Sequence, residues 1–349
     1  MAQITEDGSI VDRAGKIIYF STQRFVDDIC LGNCCFICGA KPEEKPFNNE
    51  HILPEWLLRR YDLFARTIRL PNDSTVRYDR YTVPCCVDCN SLMGRAIEEP
   101  ISQVVQYGTD VVIDYIQKDG GLKMFLWMGL IFLKTHLKDR TGRVDPDLRK
   151  ESETVGDWYD WDIIHNIHSV VRSFYSGCRV EPEAVGSCLA LPVRTQVSQE
   201  KFDFGDLSFA QTMLLRLDDT ALLTVFNDSG AVNGWFWQKL EKITGPVSDL
   251  QLREILVEFA YLNLHLKERP KFQTECNSLT ETCRIVGHRG SLDLDPMDQR
   301  VRGKLVLHVF REILPYIRNR HATNEEVLEA IKAGTFTFLF DRDGEFITE

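Results

Sequence analysis

Two pairs of cysteines with the same spacing give the strongest chemical signal in the sequence. Cys35 and Cys38 form one Cys-x-x-Cys pair, and Cys86 and Cys89 form another. Thiolates are soft ligands, and a structural zinc ion commonly takes four of them in a tetrahedron. The two pairs therefore predict a structural Zn²⁺ site that closes residues 39–85 into a loop.

Two neighbouring cysteines, Cys34 and Cys85, each precede a predicted zinc ligand. They lack the two-residue spacing, so we interpret them as small buried side chains. The chain has 11 cysteines, an odd number, and most lie between Cys30 and Cys89. This grouping fits metal binding in a reducing cytoplasm better than a disulfide framework.

A zinc ion with four thiolate ligands has no open position, so catalysis would need other side chains. Glu50 and His51 lie inside the predicted loop, and Asn90 directly follows the last predicted zinc ligand. Carboxylate and amide oxygens suit a hard cation such as Mg²⁺ or Mn²⁺, and an imidazole suits proton abstraction from water. We expect the zinc site to bring these three side chains to one cleft.

Each of these three residues also has a plainer interpretation. His51 would be a core histidine or one packed beside the zinc, and Glu50 would be a solvated carboxylate. Asn90 would cap the helix that follows Cys89, as asparagine readily does. The acidic residue before His51 and the cysteine pairs on either side favour the catalytic interpretation for His51.

Three segments together resemble the HNH endonuclease family, in particular its four-cysteine members: Cys35-x-x-Cys38-Gly39, Glu50-His51-Ile52-Leu53-Pro54 and Cys86-x-x-Cys89-Asn90. The resemblance covers residues 30–105. It implies a ββα-metal fold, in which a β-hairpin and a helix surround one divalent cation. It also implies hydrolysis of DNA phosphodiester bonds, with RNA as the weaker alternative substrate.

By this resemblance His51 is the general base that activates water. Glu50 and Asn90 are ligands of the catalytic Mg²⁺ or Mn²⁺, which stabilises the leaving 3′ oxygen. The family's middle asparagine has no clear counterpart, because Asn72 lies in a stretch with strong turn chemistry and is favoured as a turn former. Family members occur in phages, mobile elements and bacterial defence, so antiviral defence is an expectation by analogy. The rival function is a catalytically inactive zinc module that binds nucleic acid or protein.

Arginines beside these motifs would grip a phosphate backbone. Arg59 and Arg60 follow the Glu50-His51 segment closely, and Arg95 lies on the helix predicted after Cys89. Guanidinium groups bind phosphates through two parallel hydrogen bonds. The alternative is an ordinary solvated surface of mixed charge.

The composition limits the class of protein. The net charge is −11, with 52 acidic and 41 basic residues, so a protein that coats nucleic acid is excluded and any DNA contact must be local. The longest apolar run, Met124–Leu133, is too short to cross a bilayer and predicts a buried helix instead. No secretory signal precedes it, and we expect a cytoplasmic protein without membrane contact.

The pattern of helices and strands predicts an α+β protein of two domains. Residues 1–110 are the expected HNH nuclease domain, and residues 111–349 an α+β domain that positions substrate, senses a signal or binds a partner. Turn residues predict hairpins around residues 71–74 and 218–220, and Thr335–Phe340 is predicted as a last strand. A homodimer is a further expectation, since two single-strand active sites would cut both strands.

The C-terminal body carries only weak signals. His165 and His168 are interpreted as part of a helix surface, and a second zinc site at Cys276, Cys283 and His288 is a minor alternative because it lacks a fourth ligand. The aromatic run Trp235–Trp237 is interpreted as core or as a partner surface.

Overall fold

A computed structural model gives the fold of residues 2–145, 147–194, 200–277, 280–316 and 323–348. It mixes helices and strands, which confirms the α+β class, while an HNH-type N-terminal domain stays a prediction. The strands of the described residues are β1 (Gln3–Ile4), β2 (Ile10–Val11), β3 (Ile17–Tyr19), β4 (Phe47–His51), β5 (Thr67–Arg69), β6 (Thr75–Arg77), β7 (Thr82–Cys86), β8 (Arg179–Val180), β9 (Ser187–Pro192), β10 (Phe202–Leu207), β11 (Thr212–Leu217), β12 (Thr220–Val225), β13 (Lys271–Asn277) and β14 (Thr282–His288).

The α-helices of the same residues vary widely in length. They are α1 (Thr22–Arg24), α2 (Glu55–Arg60), α3 (Val87–Met93), α4 (Glu99–Val105), α5 (Thr109–Tyr115), α6 (Gly121–Asp139), α7 (Trp161–Val171), α8 (Ser173–Ser176), α9 (Ala231–Leu240), α10 (Asp249–Leu264), α11 (Gln299–Val309) and α12 (Asn324–Lys332). A π-helical turn, Gly94–Glu98, joins α3 to α4, so that one helical path runs from Val87 to Val105.

The chain forms two compact units that are not consecutive halves. The first unit contains residues 1–106, 118–185 and 271–288, and the second contains residues 107–117, 186–270 and 289–349. The chain first leaves the first unit near the predicted boundary at residue 110, but it returns twice. The predicted domains, 1–110 and 111–349, therefore differ from this division.

In the first unit, β4 and β7 form an antiparallel pair in which Glu50 lies opposite Val83 and His51 opposite Thr82. Strand β7 runs directly into α3, so two strands and a helix follow one another in space. Helix α6 is buried along most of its length and packs against α7. This confirms the buried helix predicted from the apolar run.

A hairpin of β13 and β14 completes the first unit, and β14 pairs in parallel with β8. Cys276 and Cys283 lie opposite each other on this hairpin and form a disulfide. The two sulfurs bond to each other, so the minor alternative of a second zinc site at these cysteines is wrong.

The second unit is organised around a four-stranded antiparallel sheet with the order β10-β11-β12-β9. Every residue of β11 and β12 is buried, and α10 packs on these two strands. The exposure of the aromatic run on α9 is divided: Phe236 is buried, whereas 48% of Trp235 and 56% of Trp237 are exposed. Phe236 thus belongs to the core, and a partner surface at the two exposed tryptophans stays a prediction.

The two predicted hairpins are confirmed as β5–β6 and β11–β12. The predicted last strand, Thr335–Phe340, is wrong. Among the described residues this segment forms a single isolated bridge, from Phe340 to Phe346, because Gly344 and its neighbours turn the chain back at once.

Candidate functional site

The four predicted zinc ligands come together in the first unit. Cys35 and Cys38 lie in a turn, where Gly39, at φ +76°, donates to the Cys35 carbonyl at 2.8 Å. Cys86 ends β7, and Cys89 lies in the first turn of α3. All four sulfurs are buried and lie within 4.8 Å of one another. Four thiols at such separations fit a tetrahedral zinc ion and make this cluster a possible metal site.

A fifth thiol touches this cluster. The Sγ atom of Cys85 lies 3.8 Å from that of Cys35, nearly the same as the 3.7 Å that separates Cys38 and Cys86. Cys34 and Cys85 are both buried, as predicted. Cys85, however, also contacts a predicted ligand, which its position in the sequence did not indicate.

Helix α7 and Arg172, the residue that caps its C-terminus, support the first cysteine pair. His168 Nε2 lies 2.7 Å from the carbonyl oxygen of Phe36, and Arg172 Nε donates to that of Ile37. These two carbonyls belong to the residues between Cys35 and Cys38. His168 of α7 and the capping residue Arg172 therefore fix the backbone of the turn that presents the thiols.

The same helix corrects the interpretation of His165 and His168 as surface residues. Both are buried, and His165 Nε2 lies 2.8 Å from the carbonyl oxygen of Phe20. Burial lowers the pKa of both imidazoles, that of His168 well below its ordinary value. Arg172 is only 1% exposed, and this burial lowers its pKa to about 10. The guanidinium nevertheless stays charged at neutral pH. The sequence concealed this because the acidic residues before His165 suggested a solvated face.

Glu50 and His51 differ sharply in their surroundings. Glu50 is 7% exposed, and its Oε1 atom accepts a hydrogen bond of 2.7 Å from Lys134 Nζ. His51 is half-buried, and its ring meets the ring of Phe64 edge-on at a centroid distance of 6.3 Å. The plain interpretation of Glu50 as a solvated carboxylate is thus wrong, and His51 remains accessible to water.

Asn90 lies inside α3 and does not cap it, because Cys86 occupies the N-cap position. The Asn90 amide donates to Asn48 Oδ1 at 3.0 Å. Residues 48 and 50 share one face of β4, whereas residue 51 points to the other. The structure therefore places Asn90 beside the Asn48 and Glu50 face, and the expected meeting of Asn90 with the His51 ring in one cleft stays a prediction.

The predicted phosphate-binding arginines are all exposed. Arg59 pairs with Glu55 at 2.5 Å and lies over the Phe64 ring, 5.9 Å from its centroid. Phe64 thus connects Arg59 to His51, a link that the sequence did not suggest. Arg60 lies over the Tyr61 ring, and Arg95 is exposed on the helical path after Asn90.

Asn72 behaves as a turn residue. Its Oδ1 atom accepts hydrogen bonds from Ser74, at 3.2 Å from the backbone nitrogen and 2.7 Å from the hydroxyl. Its Nδ2 atom donates to the carbonyl oxygen of Arg143 at 2.6 Å. These contacts favour the turn-former interpretation.

The residues fit the two expected metals unequally. The four sulfurs supply the donor set that structural zinc requires. For Mg²⁺ or Mn²⁺ the oxygen donors are of the right chemical type, but the ammonium of Lys134 already binds Glu50. A divalent cation at this carboxylate would lie close to a buried positive charge, so Glu50 does not fit as its ligand in this arrangement.

Comparisons with protein-family models, curated proteins and solved structures found no match to the chain. Among the described residues, no helix has the length and apolar character needed to span a membrane.

Proposed function

We propose that the chain is a metal-dependent endonuclease of the HNH type that hydrolyses DNA phosphodiester bonds. The observation that carries the proposal is the sequence of elements β4, β7 and α3 around the four-cysteine cluster. This order puts His51 on a strand and Asn90 on the helix that follows, as the resemblance in the sequence implies. Zinc, cytoplasmic location and a role in defence belong to the same proposal, although a disulfide such as Cys276–Cys283 is rare in a reducing cytoplasm and weighs against that location.

In this proposal His51 removes a proton from the attacking water. Its partial exposure on β4 allows water and a phosphate to reach the ring. Arg59, which shares the Phe64 ring with His51, would hold a backbone phosphate, and Arg60 and Arg95 would extend this contact. A bound divalent cation would supply charge stabilisation at the leaving oxygen. The Lys134–Glu50 ion pair weighs against Glu50 as a ligand of that cation, whereas Asn90 remains a candidate.

A second function is favoured by one specific observation. Because the Glu50 carboxylate accepts a hydrogen bond from Lys134, it is not free to bind a metal ion. A zinc module that binds nucleic acid or protein without cleaving it would tolerate this arrangement. Exposed arginines suit such a module equally well.

A plasmid-nicking assay separates the two functions. Purified protein is incubated with supercoiled DNA and Mg²⁺, Mn²⁺ or EDTA, and single-stranded DNA and RNA are tested in parallel. We expect metal-dependent nicking that falls by roughly 10²- to 10⁴-fold in His51→Ala, the range for loss of a general base. His288→Ala is the matched control, since His288 is exposed on β14 and lies outside the proposed site.

Equal cutting by wild type and His51→Ala would overturn the nuclease proposal. Metal-independent binding of DNA without any cutting would instead favour the inactive module. Preference for RNA would change the substrate but keep His51 as the base.

A further inference from the structure

Lys134 is the most deeply buried charged group near the candidate site. It lies in α6, and its side chain has 0% exposure. Its ammonium donates to Glu50 Oε1 at 2.7 Å, to the carbonyl oxygen of His51 at 2.8 Å and to Glu98 Oε1 at 3.4 Å. The three donors of an ammonium group are thus matched by three oxygens.

These oxygens come from the two elements that carry the predicted catalytic residues. Glu50 and His51 belong to β4, and Glu98 ends the π-helical turn that continues α3, the helix of Asn90. Lys134 itself comes from a third element, far along the chain. One side chain therefore ties the strand of His51 to the helical path of Asn90.

The surroundings keep this lysine charged. Burial alone would lower the pKa of Lys134, but the carboxylates of Glu50 and Glu98 raise it. A buried ammonium is tolerated only when hydrogen bonds and opposite charges compensate for its lost hydration. The contact to the His51 carbonyl is then a charge-assisted hydrogen bond, stronger than a bond between neutral groups.

We infer that Lys134 is a positioning residue of the candidate site, which fixes the backbone of His51 and thereby the direction of its imidazole. The inference rests on the proposed role of His51 for its effect on catalysis, but its structural part does not. Lys134 does not touch the solvent-accessible ring and is not itself catalytic. Misplacement of a reacting group by about 1 Å can cost about 100-fold in rate. Loss of the contact between Lys134 and the His51 carbonyl should therefore have a measurable effect on catalysis.

The test removes the ammonium and keeps the unbranched chain that leads to it, in Lys134→Met. We expect kcat for plasmid nicking to fall by about 100-fold with little change in KM, because the arginines that bind phosphate are untouched. Amide hydrogen exchange at Glu50–Ile52 should become at least about tenfold faster, because β4 loses its anchor.

Two controls isolate the His51 contact. Lys138→Met changes a partly exposed lysine one turn later on α6 and should match wild type in both measurements. Glu98→Gln weakens the longest of the three contacts and leaves those to Glu50 and His51, so its kcat should stay within about threefold of wild type. If Lys134→Met does not fold, the double variant Lys134→Met/Glu98→Gln replaces it, because it leaves one unpaired carboxylate fewer.

The outcomes of the two proposals are separable. Unchanged exchange at Glu50–Ile52 and unchanged kcat in Lys134→Met would overturn the positioning role. Absence of nicking by wild type would overturn the nuclease proposal alone, and the exchange measurement would then decide whether Lys134 fixes the His51 strand. If kcat of Lys134→Met falls only as much as kcat of Glu98→Gln, Lys134 merely compensates the charge of the buried carboxylates. That result would also contradict the inference.

Discussion

The two units of the chain are stabilised in different ways. The first depends on contacts between residues far apart in sequence: four cysteines, the ammonium of Lys134 and the side chains of α7 that hold the cysteine turn. The second has a continuous apolar core, formed by β11, β12 and α10 with the helices that cover them. Both units bury many apolar side chains, and the first also joins segments far apart in sequence through a few buried polar side chains.

Removal of zinc should have the largest effect of the three perturbations, and it should destabilise the first unit without destabilising the second. Cys86→Ser should abolish zinc binding and unfold the first unit, because structural zinc contributes about 10–16 kcal/mol in small zinc domains. Zinc content should fall from one per chain to zero, and amides of β4 and α3 should lose protection against hydrogen exchange. Amides of α10 should stay protected, because its apolar contacts remain.

Cys85→Ser is the matched control for this experiment. The four other sulfurs lie within 4.8 Å of one another, so this variant should keep one zinc per chain. Loss of zinc in Cys85→Ser and its retention in Cys86→Ser would transfer the ligand role to Cys85. Loss of protection in α10 together with β4 would show that the two units unfold as one.

Substitution of Arg302 should have the opposite selectivity, because it destabilises the second unit and leaves the zinc site of the first intact. It donates to Glu254 at 2.6 Å and to Glu258 at 2.5 Å, and all three side chains are buried. Arg302→Met leaves two buried carboxylates without this partner and should cost about 3–5 kcal/mol of unfolding free energy. Denaturant unfolding monitored at the second unit would measure the loss, with zinc content unchanged.

Arg300→Met serves as the control, because Arg300 is exposed on the same helix. We expect its unfolding free energy to stay within about 0.5 kcal/mol of wild type. If both variants lose the same unfolding free energy, the buried contacts of Arg302 with Glu254 and Glu258 do not contribute specifically to stability.

Acid should weaken the first unit through His168, with the smallest of the three effects. Its pKa in the folded state lies well below the ordinary value of 6.5, because the ring is buried. The stability contributed by the neutral ring is complete above pH 6.5 and is lost as the pH falls toward the folded-state pKa. The slope reaches at most about 1.4 kcal/mol per pH unit for one proton.

His168→Gln would remove this titration. Unfolding of the two proteins between pH 7 and pH 5, at equal zinc content, should show a steeper fall for wild type. Parallel curves would contradict the assignment of the acid sensitivity to His168, and they would point to the thiols instead.

The sequence predicts those parts of the molecule that depend on neighbouring residues. The spacing of Cys35 and Cys38, and of Cys86 and Cys89, anticipated the sulfur cluster because a zinc turn is a local structure. Turn residues likewise predicted the β11–β12 hairpin, since Asp218 takes up a positive φ at the turn.

Contacts between distant residues were not predictable in this way. Lys134 ends an apolar run and looks like a polar flank in the sequence, yet it is fully buried because its partners, Glu50 and Glu98, arrive from other elements. Arg172 is concealed for the same reason, since backbone carbonyls, its main partners, have no signature in sequence. The strands β13 and β14 were missed because their half-exposed residues lack a clear apolar alternation.

The contacts that His168 and Arg172 make with the cysteine turn join residues that the ribosome adds at very different times. The ribosome delivers all four zinc thiols well before it delivers Arg172, whose guanidinium holds the Ile37 carbonyl. The β13–β14 hairpin, which pairs with β8, emerges only after residues 186–270 of the other unit. A nascent chain that ends just after Cys89 thus contains all four predicted zinc ligands but neither His168 nor Arg172. The turn that presents Cys35 and Cys38 gains these two supports only after residues 168 and 172 have been made.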